Sequence, residues 1–403
     1  MQRRETRRTD LCDARHICSL LLDPRGSALE SRLGCVRRLA ATLSFMPATY
    51  YEMGLMTAAE SWRALRTLRA EPQGSLEHLL RNESARRREF HMALEQAQQQ
   101  FAAAGRIGYE SRPLNLFYGL SQAGRAIAAG SHVLGGNTGR QWRATGHGLK
   151  YDVAVPHGVW GTRIRQDNGS RDLFSTVSLV VGSPLDFKEV EFGAVVNRLL
   201  DYTMAFREPE EYARPITDVR VPSGNPLSFP VEVPVPVPWL VAGQPTPPDD
   251  VRAFVAQYPG LQELEIAVDA NGKNRWNPTD GYFIALVNSP EQLKTRRTGV
   301  RHYLEDDPRQ QRDLRGANYY RRVPVLLPRV GESAHSLHPL MSWWAVLFAL
   351  SMLARYSPSK WTETLSLSQS RYASRVEFLL DSALDAVPEL LWHALSEISE
   401  PSS

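Results

Sequence analysis

The stretch MSWWAVLFALSMLA, Met341–Ala354, lies between Pro339 and Arg355, and its reading decides the fold. It falls short of the roughly 18–20 consecutive apolar residues that a membrane-spanning helix needs, and its length suits a helix buried inside a protein. Such a helix must be covered by other apolar faces, so the rest of the chain has to supply them. Trp343, Val346 and Leu350 are expected to be inside, with the run Met341–Ala354 almost wholly buried.

Bulk composition agrees with a chain that folds around a large core. Of 403 residues, 42% are hydrophobic and 23% charged, near the average for folded soluble domains. A chain this long is expected to form two or three packed lobes. The net charge of +3 is too small to argue, as a whole-molecule field, for nucleic acid or an anionic membrane, so any electrostatic argument must be local. No secretory signal is read, because Leu20–Leu22 is short and surrounded by charges, and a cytoplasmic protein with no membrane association is expected. Cys12, Cys18 and Cys35 are odd in number and lack close CxxC pairs, which argues for free thiols over a disulfide framework or a zinc site.

Residues 1–45 read as an N-terminal appendage, with nine arginines, no lysine and every cysteine, and Met46 as the natural start. Residues 46–130 read as a helical lobe of three helices. Thr57 and Glu60 form a capping box ahead of Trp62, Leu65 and Leu68, and Pro72 ends the helix. A second helix starts near Ser84 and carries Phe90, Leu94, Ala97 and Phe101 on one face; a third starts at Ser111 and carries Leu116, Leu120 and Ile127.

Residues 131–330 read as β-rich, with strands expected at Tyr151–Val155, Leu173–Val181, Leu264–Val268, Tyr282–Val287 and Val323–Leu327 and one helix near Phe192–Phe206. VEVPVPVPW, Val231–Trp239, alternates valine with proline and can be only an edge strand or a polyproline-like run. A short helix is expected between Asp249 and Tyr258. Residues 331–403 read as a C-terminal helical segment. The expected fold is therefore α+β: an N-terminal helical lobe, a central, mostly antiparallel β region and a C-terminal helical segment packed on the first lobe.

Four segments carry a resemblance. RPLNLFYGLSQAGRAIAA at Arg112–Ala129, GHGLKYD at Gly146–Asp152, NGSRDLFSTV at Asn168–Val177 and HPLMSWWAVLFALSMLARYSPSKW at His338–Trp361 together resemble the YaaC-like bacterial family, in the same order and spacing. The resemblance covers roughly residues 46–398. It implies a soluble bacterial protein with helices flanking a β region, and it implies no reaction and no catalytic residues.

Several candidate sites stand against simpler readings. His147, Asp152 and His157 surround one short strand and could act as bases or metal ligands, or else be turn histidines beside glycines. Arg86 and His91 echo the arginine-to-histidine spacing of HEPN-type ribonucleases, although Arg86–Arg88 is more simply a solvated helix face. His335 and His338 have HxxH spacing without the glutamate of a zinc protease helix. The basic stretch of residues 294–322 holds Lys294, Arg296, Arg297, Arg301, Arg309, Arg312, Arg315, Arg321 and Arg322 with Tyr303, Tyr319 and Tyr320 interleaved. Guanidinium groups beside stackable rings suit single-stranded nucleic acid; the competing reading is a solvated linker.

No P-loop, GxSxG, kinase or dinucleotide fingerprint occurs, so no cofactor and no metal are expected. The leading functional expectation is a non-enzymatic interaction or scaffold protein of a bacterial multi-gene system, with a protein partner or a second copy of itself, and with nucleic acid as a further partner. The alternative is a hydrolase or nuclease.

Overall fold

The computed structural model describes residues 55–135, 141–152, 158–167, 171–183, 188–206, 212–217, 231–234, 248–261, 264–266, 283–288, 319–321, 323–333 and 335–400, all of them within one compact unit, Tyr50–Ser403. Four helices open it: α1 (Ala58–Ala70), α2 (Gly74–Asn82), α3 (Ser84–Ala104) and α4 (Arg112–Gly130). The capping box at the start of α1 is formed as expected, with Thr57 and Glu60 exchanging side-chain-to-backbone bonds. Helix α2 was not anticipated: only Leu76 and Leu80 anchor it, too few for a period to stand out beside Pro72 and Gly74. Helices α3 and α4 pack along each other, and Gly119 lets α4 approach the Phe101 ring, where a Cβ would come within 2.7 Å.

Among the described residues three small antiparallel sheets follow, interspersed with short helices. The first has the order β1 (Leu149–Asp152), β2 (Arg163–Gln166), β3 (Glu189–Glu191), with Tyr151 opposite Ile164 and Arg165 opposite Glu189. Between β2 and β3 lies α5 (Leu173–Val180), which corrects the expected strand at Leu173–Val181. An apolar run buried on most sides carries no period of its own; the cap decides it, because the Asp172 carboxylate accepts from Ser175 N at 2.7 Å. The single helix expected at Phe192–Phe206 is two, α6 (Phe192–Val196) and α7 (Leu200–Ala205), interrupted where the Asn197 amide donates to Gly193 O.

The second sheet orders β4 (Val231–Pro234), β6 (Phe283–Asn288) and β5 (Leu264–Ile266), with α8 (Pro248–Val255) between β4 and β5 in sequence. Strand β4 is an edge, as its proline requires. The third is a hairpin, β7 (Tyr319–Tyr320) with β8 (Val323–Pro324), whose turn holds Arg321 at φ 57°.

The chain ends in α9 (Pro339–Tyr356), α10 (Pro358–Leu365) and α11 (Ala373–Ser399). Helix α9 belongs to the core of this unit: every residue from Pro339 to Leu353 is buried, including Trp343, Val346 and Leu350. Its two tryptophans alone remove roughly 300–500 Å² from water, worth at most about 8–12 kcal/mol of transfer free energy. Helix α9 packs against α4, α6 and α11, and α11 packs in turn on α1, α2 and α4. The close approach of α9 to α4 needs Gly124, since a Cβ there would lie 2.3 Å from the Trp344 ring. Asp385 of α11 accepts from Ala58 N at 2.8 Å, so the C-terminal segment also caps the first helix of the N-terminal group. Helices at both ends thus enclose small antiparallel sheets, an α+β fold. Among the described residues no helix is long and apolar enough to cross a membrane.

Candidate functional site

Arg86 and His91 both stand on α3, but five residues on a helix separate them by well over a quarter turn. Arg86 is buried. Its Nε donates to Glu83 at 2.8 Å, Nη1 to Ser131 O at 2.9 Å and to Ala129 O, and Nη2 to Leu134 O at 2.7 Å. These carbonyls lie at and just beyond the C-terminal end of α4, where helix geometry leaves acceptors without partners. The guanidinium also lies 5.4 Å from the centre of the Trp142 ring. The nuclease-like pair is therefore corrected: Arg86 is a buried helix cap. His91 is half-buried, and burial, then Arg69 and Arg87, lower its pKa.

Asp152 does not orient His147. It is exposed at the far end of β1 and pairs with Arg165 across the register of β2. His157 lies outside the described residues. His147 is placed by two left-handed glycines, Gly146 at φ 85° and Gly148 at φ 83°. A Cβ on Gly148 would meet the Asp172 carboxylate at 1.8 Å, so the turn is locked against the cap of α5.

The basic stretch divides. Lys294, Arg296, Arg297, Arg301, Tyr303, Arg309, Arg312, Arg315, Arg322 and the Tyr319 side chain lie outside the described residues. Tyr320 and Arg321 are 1% and 5% exposed, so these two are withdrawn from a nucleic-acid surface and belong to the core. Arg321 donates through Nε to Glu389 at 2.6 Å, through Nη1 to Asp201 at 3.0 Å and through Nη2 to Met56 O at 2.9 Å. Tyr320 donates to the other Asp201 oxygen and accepts from Trp343 Nε1 at 2.7 Å. Burial would raise the pKa of Glu389, but His393 and Arg321 together hold it below the ordinary carboxylate range. Burial and Asp201 push the Tyr320 phenol well above its usual value. The cluster ties α7, β7, α9 and α11 together in a space lined by Leu55, Leu200, Met204 and Val323 that has no room for a water molecule. Asp201, Trp343 and Glu389 carry no local sequence signal; each is one polar group in an apolar run.

His335 and His338 do not act together. His335 is exposed, whereas His338 is the N-cap of α9, accepting from Leu340 N at 3.1 Å through Nδ1. Burial, then His393, pushes the His338 imidazole down to about 4. No group of three or more histidine, cysteine or carboxylate side chains suited to a metal ion occurs among the described residues.

One exposed constellation gathers side chains from three segments far apart in sequence. Tyr118 and Arg125 occupy the solvent face of α4, two turns apart. Arg355 and Tyr356 form the exposed end of α9, and His147 projects from its glycine turn. Arg355 donates to the Tyr118 hydroxyl at 3.1 Å and stands 5.0 Å from the centre of the Tyr356 ring. The His147 ring is 5.3 Å from Phe117 and 6.5 Å from Phe348, which form an aromatic floor with Tyr151. Burial against this floor, then Arg355 and Arg125, lower the His147 pKa. In the neighbouring sheet Lys150, Arg163 and Arg165 are paired with Asp167, Glu189 and Asp152. Among the described residues no carboxylate pairs with Arg125 or Arg355.

Fold and sites together define a helix-dominated α+β protein with a buried ion cluster and, among the described residues, an exposed aromatic and cationic surface at Tyr118, Arg125, His147, Arg355 and Tyr356. The YaaC-like protein family model matches residues 59–395, and the chain belongs to that family. No curated protein and no solved structure matches it.

Proposed function

We propose that this chain is a bacterial cytoplasmic protein that works by binding and not by catalysis, as an interaction or scaffold component. The observation that carries the reading is the commitment of Arg86, Asp201, Arg321 and Glu389 to the fold. The guanidinium of Arg86 is spent on the end of α4, and the Asp201–Arg321–Glu389 cluster is closed to water and substrate alike. A working catalytic site needs such groups free to reach a reacting atom. What the described surface does offer is the exposed face at Tyr118, Arg125, His147, Arg355 and Tyr356, whose charge and rings the fold leaves uncovered.

The test joins two measurements on the full chain. Affinity purification from the native host with light scattering of the purified protein is expected to give a stoichiometric assembly, with a partner or with itself. A strictly monomeric chain that hydrolyses a phosphodiester or ester, with turnover abolished by His147→Ala, overturns the proposal in favour of a hydrolase.

A further inference from the structure

We infer that the surface formed by Arg125, His147 and Arg355, with Tyr118 and Tyr356 at its edge, binds a phosphate ester carrying a nucleobase. The inference rests on the binding reading above and names the ligand of that same face. Arg125 from α4, His147 from the glycine turn and Arg355 from α9 are exposed on this face, His147 resting on Phe117 of α4 and Phe348 of α9, and none has a carboxylate partner among the described residues. On the adjoining sheet, by contrast, Arg163 and Arg165 are paired with Glu189 and Asp152. Cations on one face without a counter-charge repel one another, and an anion relieves that repulsion; a phosphate meets the guanidinium geometry with paired N–H donors.

The rings supply the second half of the argument. Tyr356 is 59% exposed, at the end of a helix buried from Pro339 to Leu353, and Tyr118 is 39% exposed on the solvent face of α4. Arg355 already lies against the Tyr356 ring and bonds the Tyr118 hydroxyl, so the guanidinium and both rings form one connected surface. A base stacked on Tyr356 would leave its phosphate beside Arg355, the pairing of stacking platform and cationic track that single-stranded nucleic acids use, with Arg125 further along the same face. His147 stands on the same face as a hydrogen-bond donor. Two sources supply this chemistry, a free nucleotide and a nucleotide within a single strand.

Fluorescence anisotropy on the full chain tests the inference, with labelled 12-mer single-stranded DNA and RNA, the matching duplex, and AMP and inorganic phosphate as competitors. Single strands are expected to bind more tightly than duplex, with log affinity falling against log salt with a slope of about −0.7 for each phosphate neutralised. Arg125→Glu with Arg355→Glu is expected to weaken binding at least about thirtyfold and Tyr356→Ala about tenfold, as loss of phosphate contacts and of one stacked base implies. The charge-matched control Arg63→Glu with Arg66→Glu, on the exposed face of α1, is expected to change it less than about threefold. Circular dichroism and melting temperature confirm that each variant is folded. Competition by AMP at equal occupancy assigns the free nucleotide, and competition by the strand alone assigns nucleic acid; either supports the inference. Inorganic phosphate competing as well as AMP, duplex binding as tightly as single strands, no saturable binding at low salt, or undiminished binding by the folded double variant overturns it. None of these results bears on whether the chain forms a stoichiometric assembly, so the binding reading stands or falls separately.

Discussion

Arg321 and Glu389, 68 residues apart in sequence, meet through an Nε-to-carboxylate bond of 2.6 Å inside the core, with Glu389 fully buried. Two charges removed from water lose several kcal/mol of hydration each, and Asp201 and Met56 take up the other Arg321 donors while Tyr320 and Trp343 extend the network. Arg321 also adopts φ 57°, a left-handed conformation that costs a non-glycine residue about 1–2 kcal/mol. The surrounding contacts outweigh that strain.

Removal of one member should therefore be severe. Arg321→Met leaves two buried carboxylates without their cation, and a loss of about 3–5 kcal/mol is expected. Glu389→Gln keeps an acceptor and removes only the charge, with a smaller loss of about 1.5–3 kcal/mol. Urea unfolding of the two variants measures the difference; equal and negligible effects would show that the cluster is not a keystone of the core.

Arg86 is expected to matter for stability and His91 hardly at all. Arg86→Ala strands the carbonyls at the end of α4, each worth about 1–3 kcal/mol when a buried acceptor loses its partner. His91→Ala, on a half-buried ring without a hydrogen bond of its own to the core, should stay within about 1 kcal/mol. Parallel loss of an RNase activity in both variants, without loss of stability in either, would restore the nuclease pairing.

Gly124→Ala sets helix propensity against packing. Alanine is better than glycine inside a helix by about 1 kcal/mol, but the new Cβ would sit 2.3 Å from the Trp344 ring and 3.1 Å from Val177. Overpacking of a rigid core costs about 1–3 kcal/mol, so a net destabilisation is expected, read as a lower melting temperature.

His338 makes stability depend on pH. Its folded pKa, near 4, lies below the ordinary 6.5, so between these values the unfolded chain binds the proton and the folded chain does not. Stability is therefore complete above about pH 6.5 and falls as pH drops toward 4. His338→Asn retains a good N-cap acceptor for α9 without the titration. Its stability should fall less than that of the parent chain between pH 7 and pH 4.5, and identical slopes in urea titrations at the two pH values would refute the assignment.

Much of the architecture is readable from local order. The Thr57–Glu60 box, the Phe90–Phe101 face, Pro113 at the start of α4 and the unbroken apolar run of α9 are local patterns, and local patterns survive folding because short-range geometry produces them. The Leu173–Val180 segment is not of this kind. It is buried almost all round, so no hydrophobic period separates helix from strand, and the Asp172 cap that decides it is a single residue.

The candidate sites divide along the same physical line. The sequence by itself determined that α9 must be buried, that the Val-Pro run could be only an edge strand or a polyproline-like run and which residue types were available for chemistry. Only the tertiary structure decided what those residues do, because burial and partners are set by segments far away in the chain. Arg86 and Arg321 read as exposed cations until the end of α4 and the middle of α11, respectively, are brought to them. Tyr118, Arg125, His147, Arg355 and Tyr356 are unremarkable in three separate segments and become one surface when α4, the glycine turn and α9 pack together. An arginine's charge is written in its sequence, but whether that charge faces water, a carbonyl or a carboxylate depends on contacts that no local pattern encodes.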